Sequence, residues 1–162
     1  MSKMSLDMLT VLERCAEIEL KNMELYDLFA DCFADDIETA RLWRKVARDE
    51  EGHANQFRLV AKMRSGGIES VNVDPWKAEN AIKVVQSIIN AVKRSPPSPE
   101  DALRSAIKLE EHLSAFHVEC IATFEDEQLK KLFHAMMTVD DTHVKSLKEA
   151  YERCITRDRS LL

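Results

Sequence analysis

Four stretches of this chain repeat apolar residues every third or fourth position, and each stripe is broken once by an acid. The first stripe is Leu9, Leu12, Ala16, Met23, Tyr26, Ala30 and Phe33, with Glu19 in its gap. The second is Trp43, Val46, Glu50, His53, Phe57 and Val60. The third is Leu103, Ala106, Glu110, Leu113, His117, Cys120 and Phe124, and the fourth is Leu129, Phe133, Met136, Asp140, His143, Leu147 and Cys154. Steps of three and four place each set on one face of an α-helix. Four such faces are best buried against one another, so the pattern predicts an all-α four-helix bundle.

Start and stop signals divide the chain. Ser5 or Asp7 can cap a first helix that reaches about Phe33. Asp35 and Asp36 mark a tight turn and cap a second helix to about Arg64, which Ser65-Gly66-Gly67 ends. A long crossover over about 65–97 contains a fifth, shorter helix, started by Asp74-Pro75 and stopped by Ser95-Pro96-Pro97. Ser98-Pro99-Glu100-Asp101 then supplies a cap, a first-turn proline and first-turn acids for the third bundle helix. The fourth is expected from about Asp126 to Arg153, around a turn near Phe124-Glu125. The expected organisation is a single domain over 1–162, with helical hairpins at about 5–64 and 98–157.

Composition narrows the class. Three glycines, four prolines and 6% aromatic residues against 32% charged ones suit long helices with few turns. A net charge of -6, with no basic cluster, argues against nucleic acid as a partner. No apolar run approaches the ~20 residues of a membrane span, and the N-terminus has no cleavable signal pattern. Cys15, Cys32, Cys120 and Cys154 form no Cys-x-x-Cys pair, so they read as reduced cysteines of a cytoplasmic protein.

The interrupting acids carry the functional signal. Most of the 29 acids belong on a solvated surface, but Glu19, Glu50, Glu110 and Asp140 each sit in an apolar stripe. Burying an ionised carboxylate without a partner is prohibitively costly, and no lysine or arginine lies on these stripes. Two divalent cations would balance four carboxylates and leave the histidines neutral and free to ligate. His53 and His143 each follow a stripe acid by three residues, on the same helix face. The acids also share a level. Glu19 and Glu50 lie about 16 and 15 residues from the first turn, or roughly 23 Å along a helix. The predicted metal ligands are therefore Glu19, Glu50, His53, Glu110, Asp140 and His143.

Among the other candidates, His117 lies seven residues after Glu110, as Tyr26 does after Glu19. A hydrogen bond to a ligating carboxylate is the role expected of His117, with direct ligation or a plain core position as alternatives. Tyr26 and His117 are the candidate catalytic residues. His112 and His134 fall outside the stripes and are expected at the surface. Met8, Met23, Met136 and Met137 are expected to fill gaps in the core.

The segments Ile18-Glu19 through Tyr26, Asp49-Glu50-Glu51-Gly52-His53-Ala54, Ala106 through Glu110 and Asp140-Asp141-Thr142-His143 resemble the rubrerythrin branch of the ferritin-like superfamily. The resemblance spans nearly the whole chain. It implies a ferritin-like bundle holding two iron ions, with manganese or zinc as alternatives, and a reaction with peroxide or dioxygen. The chain lacks the Cys-x-x-Cys pairs of a rubredoxin-like site, so the resemblance implies an external electron-donor protein or small reductant. Leu113 stands where peroxidase members of the family carry a further glutamate. Asp140 is one methylene shorter than the family's glutamate.

A di-iron oxidoreductase is the leading functional expectation. An iron-storage protein and a metal-stabilised structural bundle are the alternatives. A homodimer is also expected, because Trp76, Ile82, Val85, Ile88, Ile89 and Val92 give the crossover helix more apolar surface than one bundle face easily covers.

Overall fold

The computed structural model describes residues 6–63, 70–71, 74–122 and 127–161. Five helices make up almost all of this: α1 (Met8–Cys32), α2 (Ile37–Met63), α3 (Pro75–Arg94), α4 (Pro99–Ile121) and α5 (Glu127–Ser160). Two short strands, β1 (Leu6–Asp7) and β2 (Ser70–Val71), pair antiparallel with Leu6 opposite Val71. The described residues thus form an all-helical protein apart from this one pairing, which the sequence did not signal. No helix among them is long and apolar enough to cross a membrane. The helices group into two compact units divided after Arg94.

In the first unit, α1 and α2 form an antiparallel hairpin. Asp36 caps α2 by accepting from the Thr39 backbone N–H at 3.2 Å and the Thr39 hydroxyl at 2.8 Å. Arg44 reaches back across the turn to Asp27 at 2.7 Å and Asp31 at 2.5 Å. These exposed pairs add little stability and mainly hold the register. Beneath them Tyr26, Phe29 and Trp43 pack as a fully buried aromatic cluster. The Tyr26 and Trp43 rings stack with centroids 5.6 Å apart, and Phe29 tilts against Trp43 at 4.8 Å. Such pairs contribute about 0.5–1.5 kcal/mol beyond their burial.

The crossover helix α3 packs on α1. Asp74 starts it by accepting from the Trp76 N–H, with Pro75 in the first turn. Lys21 bonds Gln86 at 2.7 Å, Glu24 pairs with Lys93 at 2.9 Å and Arg14 pairs with Glu79 at 2.9 Å. To receive α3, α1 buries a second stripe: Val11, Cys15, Ile18, Asn22, Leu25 and Phe29. It lies about a quarter turn from the first. Ala78, Ala81, Val85, Ile89 and Val92 of α3 are buried, and Ile82 and Ile88 are half-buried. Of the residues on which a homodimer was expected, only Trp76 stands well out, at 67% exposure.

The second unit is the hairpin of α4 and α5. Ser98 caps α4 by accepting from the Asp101 N–H at 3.1 Å, and Pro99 occupies the first turn. Across the hairpin, Lys148 pairs with Glu111 at 2.7 Å and the Arg104 guanidinium lies over the Tyr151 ring. α5 ends at Ser160, seven residues beyond the predicted Arg153. Residues 154–160 contain neither glycine nor proline, and Arg157 and Arg159 complement the negative end of the helix. The expected signals at Ser5, Ser65-Gly66-Gly67 and Phe124-Glu125 lie outside the described residues, as do the side chains of Met8 and Leu129.

Candidate metal centre

Six buried acids and histidines fall into one triad in each unit. In the first, α1 supplies Glu19 and α2 supplies Glu50 and His53, all at most 5% exposed. Each offers one ligand atom, and the three atoms lie within 4.8 Å of one another. His53 Nδ1 is 3.6 Å from Glu50 Oε2 and 3.9 Å from Glu19 Oε2. These separations are too long for hydrogen bonds. They match donors arranged around one cation, since two ligands each ~2.1 Å from an ion lie roughly 3–4 Å apart. The helix spacing explains the geometry: Glu50 and His53 project from one face of α2, and Glu19 meets them at the same level of the hairpin.

In the second unit, Glu110 of α4 joins Asp140 and His143 of α5, all at most 3% exposed and with ligand atoms within the same 4.8 Å. His117, two turns along α4 from Glu110, is also buried, and its Nδ1 stands 3.4 Å from Asp140 Oδ2. The Phe133 ring meets the His117 ring edge-on at 5.9 Å. Thus His117 adjoins a carboxylate of the triad, whereas Tyr26 stacks on Trp43 two turns from Glu19. Leu113, one turn beyond Glu110, is buried and apolar.

Two carboxylates and one imidazole, all buried, are a donor set that hard or borderline divalent cations accept. Each set fits one such ion on its ligand types and spacing. The remaining histidines, His112 and His134, are exposed. All four cysteines are free thiols: Cys15 and Cys120 are buried, Cys32 and Cys154 half-buried. Burial raises the Cys32 and Cys154 thiols above their ordinary pKa, with Asp31 adding to the effect at Cys32 and Asp158 at Cys154, which disfavours thiolate chemistry. Met136 is buried, and Met23 and Met137 are half-buried.

Sequence reasoning passed over Asn22. It is 1% exposed, and neither amide atom has a hydrogen-bond partner among the described residues. The signal was present, because Asn22 interrupts the second α1 stripe as Glu19 interrupts the first. Gly52 lies between Glu50 and His53 on the exposed side of α2, where an added Cβ would meet nothing within 4 Å. No packing requirement accounts for this glycine.

No protein-family model matches the chain, and no curated protein or solved structure shows significant similarity to it.

Proposed function

We propose that the two triads are halves of one two-metal centre, enclosed by α1, α2, α4 and α5 as a ferritin-like bundle. On this reading the protein is a rubrerythrin-like di-iron oxidoreductase, reducing peroxide or dioxygen with electrons from an external donor. The observation that carries the proposal is the duplication of a buried acid, acid, histidine set at closely similar spacing in both halves of the chain. Glu19 precedes His53 by 34 residues and Glu110 precedes His143 by 33. Four carboxylates and two neutral imidazoles balance the charge of two divalent cations, which removes the cost of burying the acids alone.

Glu19, Glu50 and His53 would hold one ion, and Glu110, Asp140 and His143 the other. When bound, a redox-active pair of ions there would supply two electrons and Lewis-acid polarisation to an oxygen–oxygen bond. The chain's own residues set the conditions. His117, whose Nδ1 stands 3.4 Å from Asp140 Oδ2, would orient that carboxylate. The Tyr26–Trp43–Phe29 cluster closes the turn end of the first hairpin to water. Leu113 keeps the corresponding side of α4 apolar.

The test is anaerobic purification with metal analysis and an optical spectrum, followed by addition of peroxide to the ferrous protein with a reductant. Two irons per chain and repeated turnover support the oxidoreductase. Retention of many irons per chain after ferrous oxidation would replace it with storage. Two tightly bound metals without any redox response would leave only a structural role.

A further inference from the structure

Gly52 stands exposed in the interior of α2, between the triad residues Glu50 and His53 in the chain. Glycine is costly inside a helix, and an added Cβ here would meet nothing within 4 Å. The duplicated motif sharpens the contrast. Thr142 holds the matching place between Asp140 and His143, and its hydroxyl donates to the Thr138 carbonyl of its own helix at 3.1 Å. The back of the first triad is left bare, and that of the second is clothed.

Steps of three and four carry the outer face of α2 through Arg41, Lys45, Arg48, Gly52, Gln56 and Leu59, all exposed. Leu59 stands well out, at 58% exposure. Arg41, Lys45 and Arg48 make no ion pair among the described residues. The exposed acids of α2 lie off the centre of this strip, Glu38 before its start and Glu51 about a quarter turn aside. In a chain of net charge -6 this is a basic strip with an apolar end, and its middle is bare backbone. Such a surface complements an acidic partner.

We propose that this face, centred on Gly52, docks an acidic one-electron carrier protein that reduces the metal centre. The proposal rests on the two-metal reading above and names where its external donor binds. Glu50 and His53 are buried, so a protein donor reaches them across α2 and not by contact. A helix is roughly 10–12 Å across with its side chains, whereas its Cα atoms lie at a radius of about 2.3 Å. At Gly52 the outer side of α2 is therefore thinned to backbone, behind the two ligand candidates. Electron tunnelling falls off exponentially with distance, so a missing side chain at the contact speeds transfer. The Gly52–His53 peptide bond also begins a covalent path to the imidazole. Each encounter delivers one electron. Two encounters supply the electrons that, with two protons, convert one hydrogen peroxide into two waters and leave two carriers oxidised.

The test uses full-length protein loaded with zinc, which suits the same donor types and is redox-silent. A plant-type [2Fe–2S] ferredoxin serves as the acidic carrier. Nitrogen-15 NMR of the backbone amides should show broadening centred on Gly52, running from Arg41 to Leu59 and fading as salt is raised. In the iron-loaded protein, Lys45→Gln combined with Arg48→Gln should slow reduction by ferredoxin by about tenfold at low salt, the lower end of the range for electrostatic steering. Gly52→Gln keeps the charge and favours helix. It should leave zinc content unchanged and lower the rate with ferredoxin severalfold relative to that with dithionite, a small reductant. Broadening that centres on another surface, or none at low salt, overturns the proposal. So does a Gly52→Gln protein that keeps the parent ratio of the two rates. Failure to bind two zinc ions would instead overturn the two-metal reading itself.

Discussion

His117 Nδ1 stands 3.4 Å from Asp140 Oδ2, so an imidazole on α4 adjoins the one ligand candidate whose side chain is a methylene shorter than the glutamate at Glu50. The shorter arm should make the ion near His143 the more weakly held. Stepwise metal loss to a competing chelator is expected, with one site emptying first. Asp140→Glu should bring the two affinities together. His117→Phe should weaken the lesser site by about 10–100-fold, the range for losing a partner of a metal-ligating side chain. Simultaneous loss of both metals in the parent protein and in both variants would refute the asymmetry.

Glu50→Ala and Glu110→Ala should each reduce bound metal below two ions per chain while far-ultraviolet circular dichroism stays helical. The apolar positions of the stripes, such as Trp43, Phe57, Leu113 and Leu147, remain buried without the acids and keep the helices packed. Metal analysis after dialysis checks the first half of the claim. Two ions retained by both variants would remove these carboxylates from the ligand set.

Gly52→Ala is expected to stabilise the protein by about 1 kcal/mol, the helix-propensity difference between the two residues. The position is exposed and helical, and the added methyl has nothing to strike. Urea unfolding measures the change. A loss of stability would mean that the glycine answers a need outside the metal-free fold, such as movement of the turn joining Glu50 to His53.

Acid should loosen α3 from α1. The Lys93 ammonium donates to Glu24 at 2.9 Å and, with Lys21 assisting, holds that carboxyl below its ordinary value of 4.5. Because the folded pKa is the lower one, the stabilisation is fully present above 4.5 and is lost as pH falls through the folded value. Glu24 is 40% exposed, so solvent screening limits the effect to a few tenths of a kcal/mol. Glu24→Gln should lower stability slightly at neutral pH and make no difference in strong acid. An equal loss at both would assign the effect to packing.

The helices and the six buried acids and histidines were legible because the signals were local. Apolar steps of three and four identify faces, caps such as Asp36 and Ser98 identify starts, and an acid inside a stripe stands out against it. The parts that escaped depended on what packs where. The second stripe of α1 acquires meaning only once α3 lies on it, and no local rule says that a crossover helix will return to its first neighbour. Asn22 was overlooked for that reason. The apolar surface of α3 likewise proves largely buried within the chain, a covering by α1 that no local pattern announces. The extra length of α5 reflects the absence of a stop signal, which carries less weight in a sequence than the presence of one.

The pairing of α3 with α1 also bears on the order of assembly. Its side-chain bonds join residues 65 and 69 positions apart, at Lys21–Gln86 and Glu24–Lys93. Those across the α1–α2 turn join residues 13 and 17 apart, at Asp31–Arg44 and Asp27–Arg44. Closing the longer loops carries the greater entropic cost, so the hairpin is expected to form first and α3 to dock afterwards. During synthesis Glu19, Glu50 and His53 have all been added before the first residue of α3. On the two-metal reading, the residues of the first triad would therefore all be in the chain while Asp140 and His143, on the last helix, have yet to be translated.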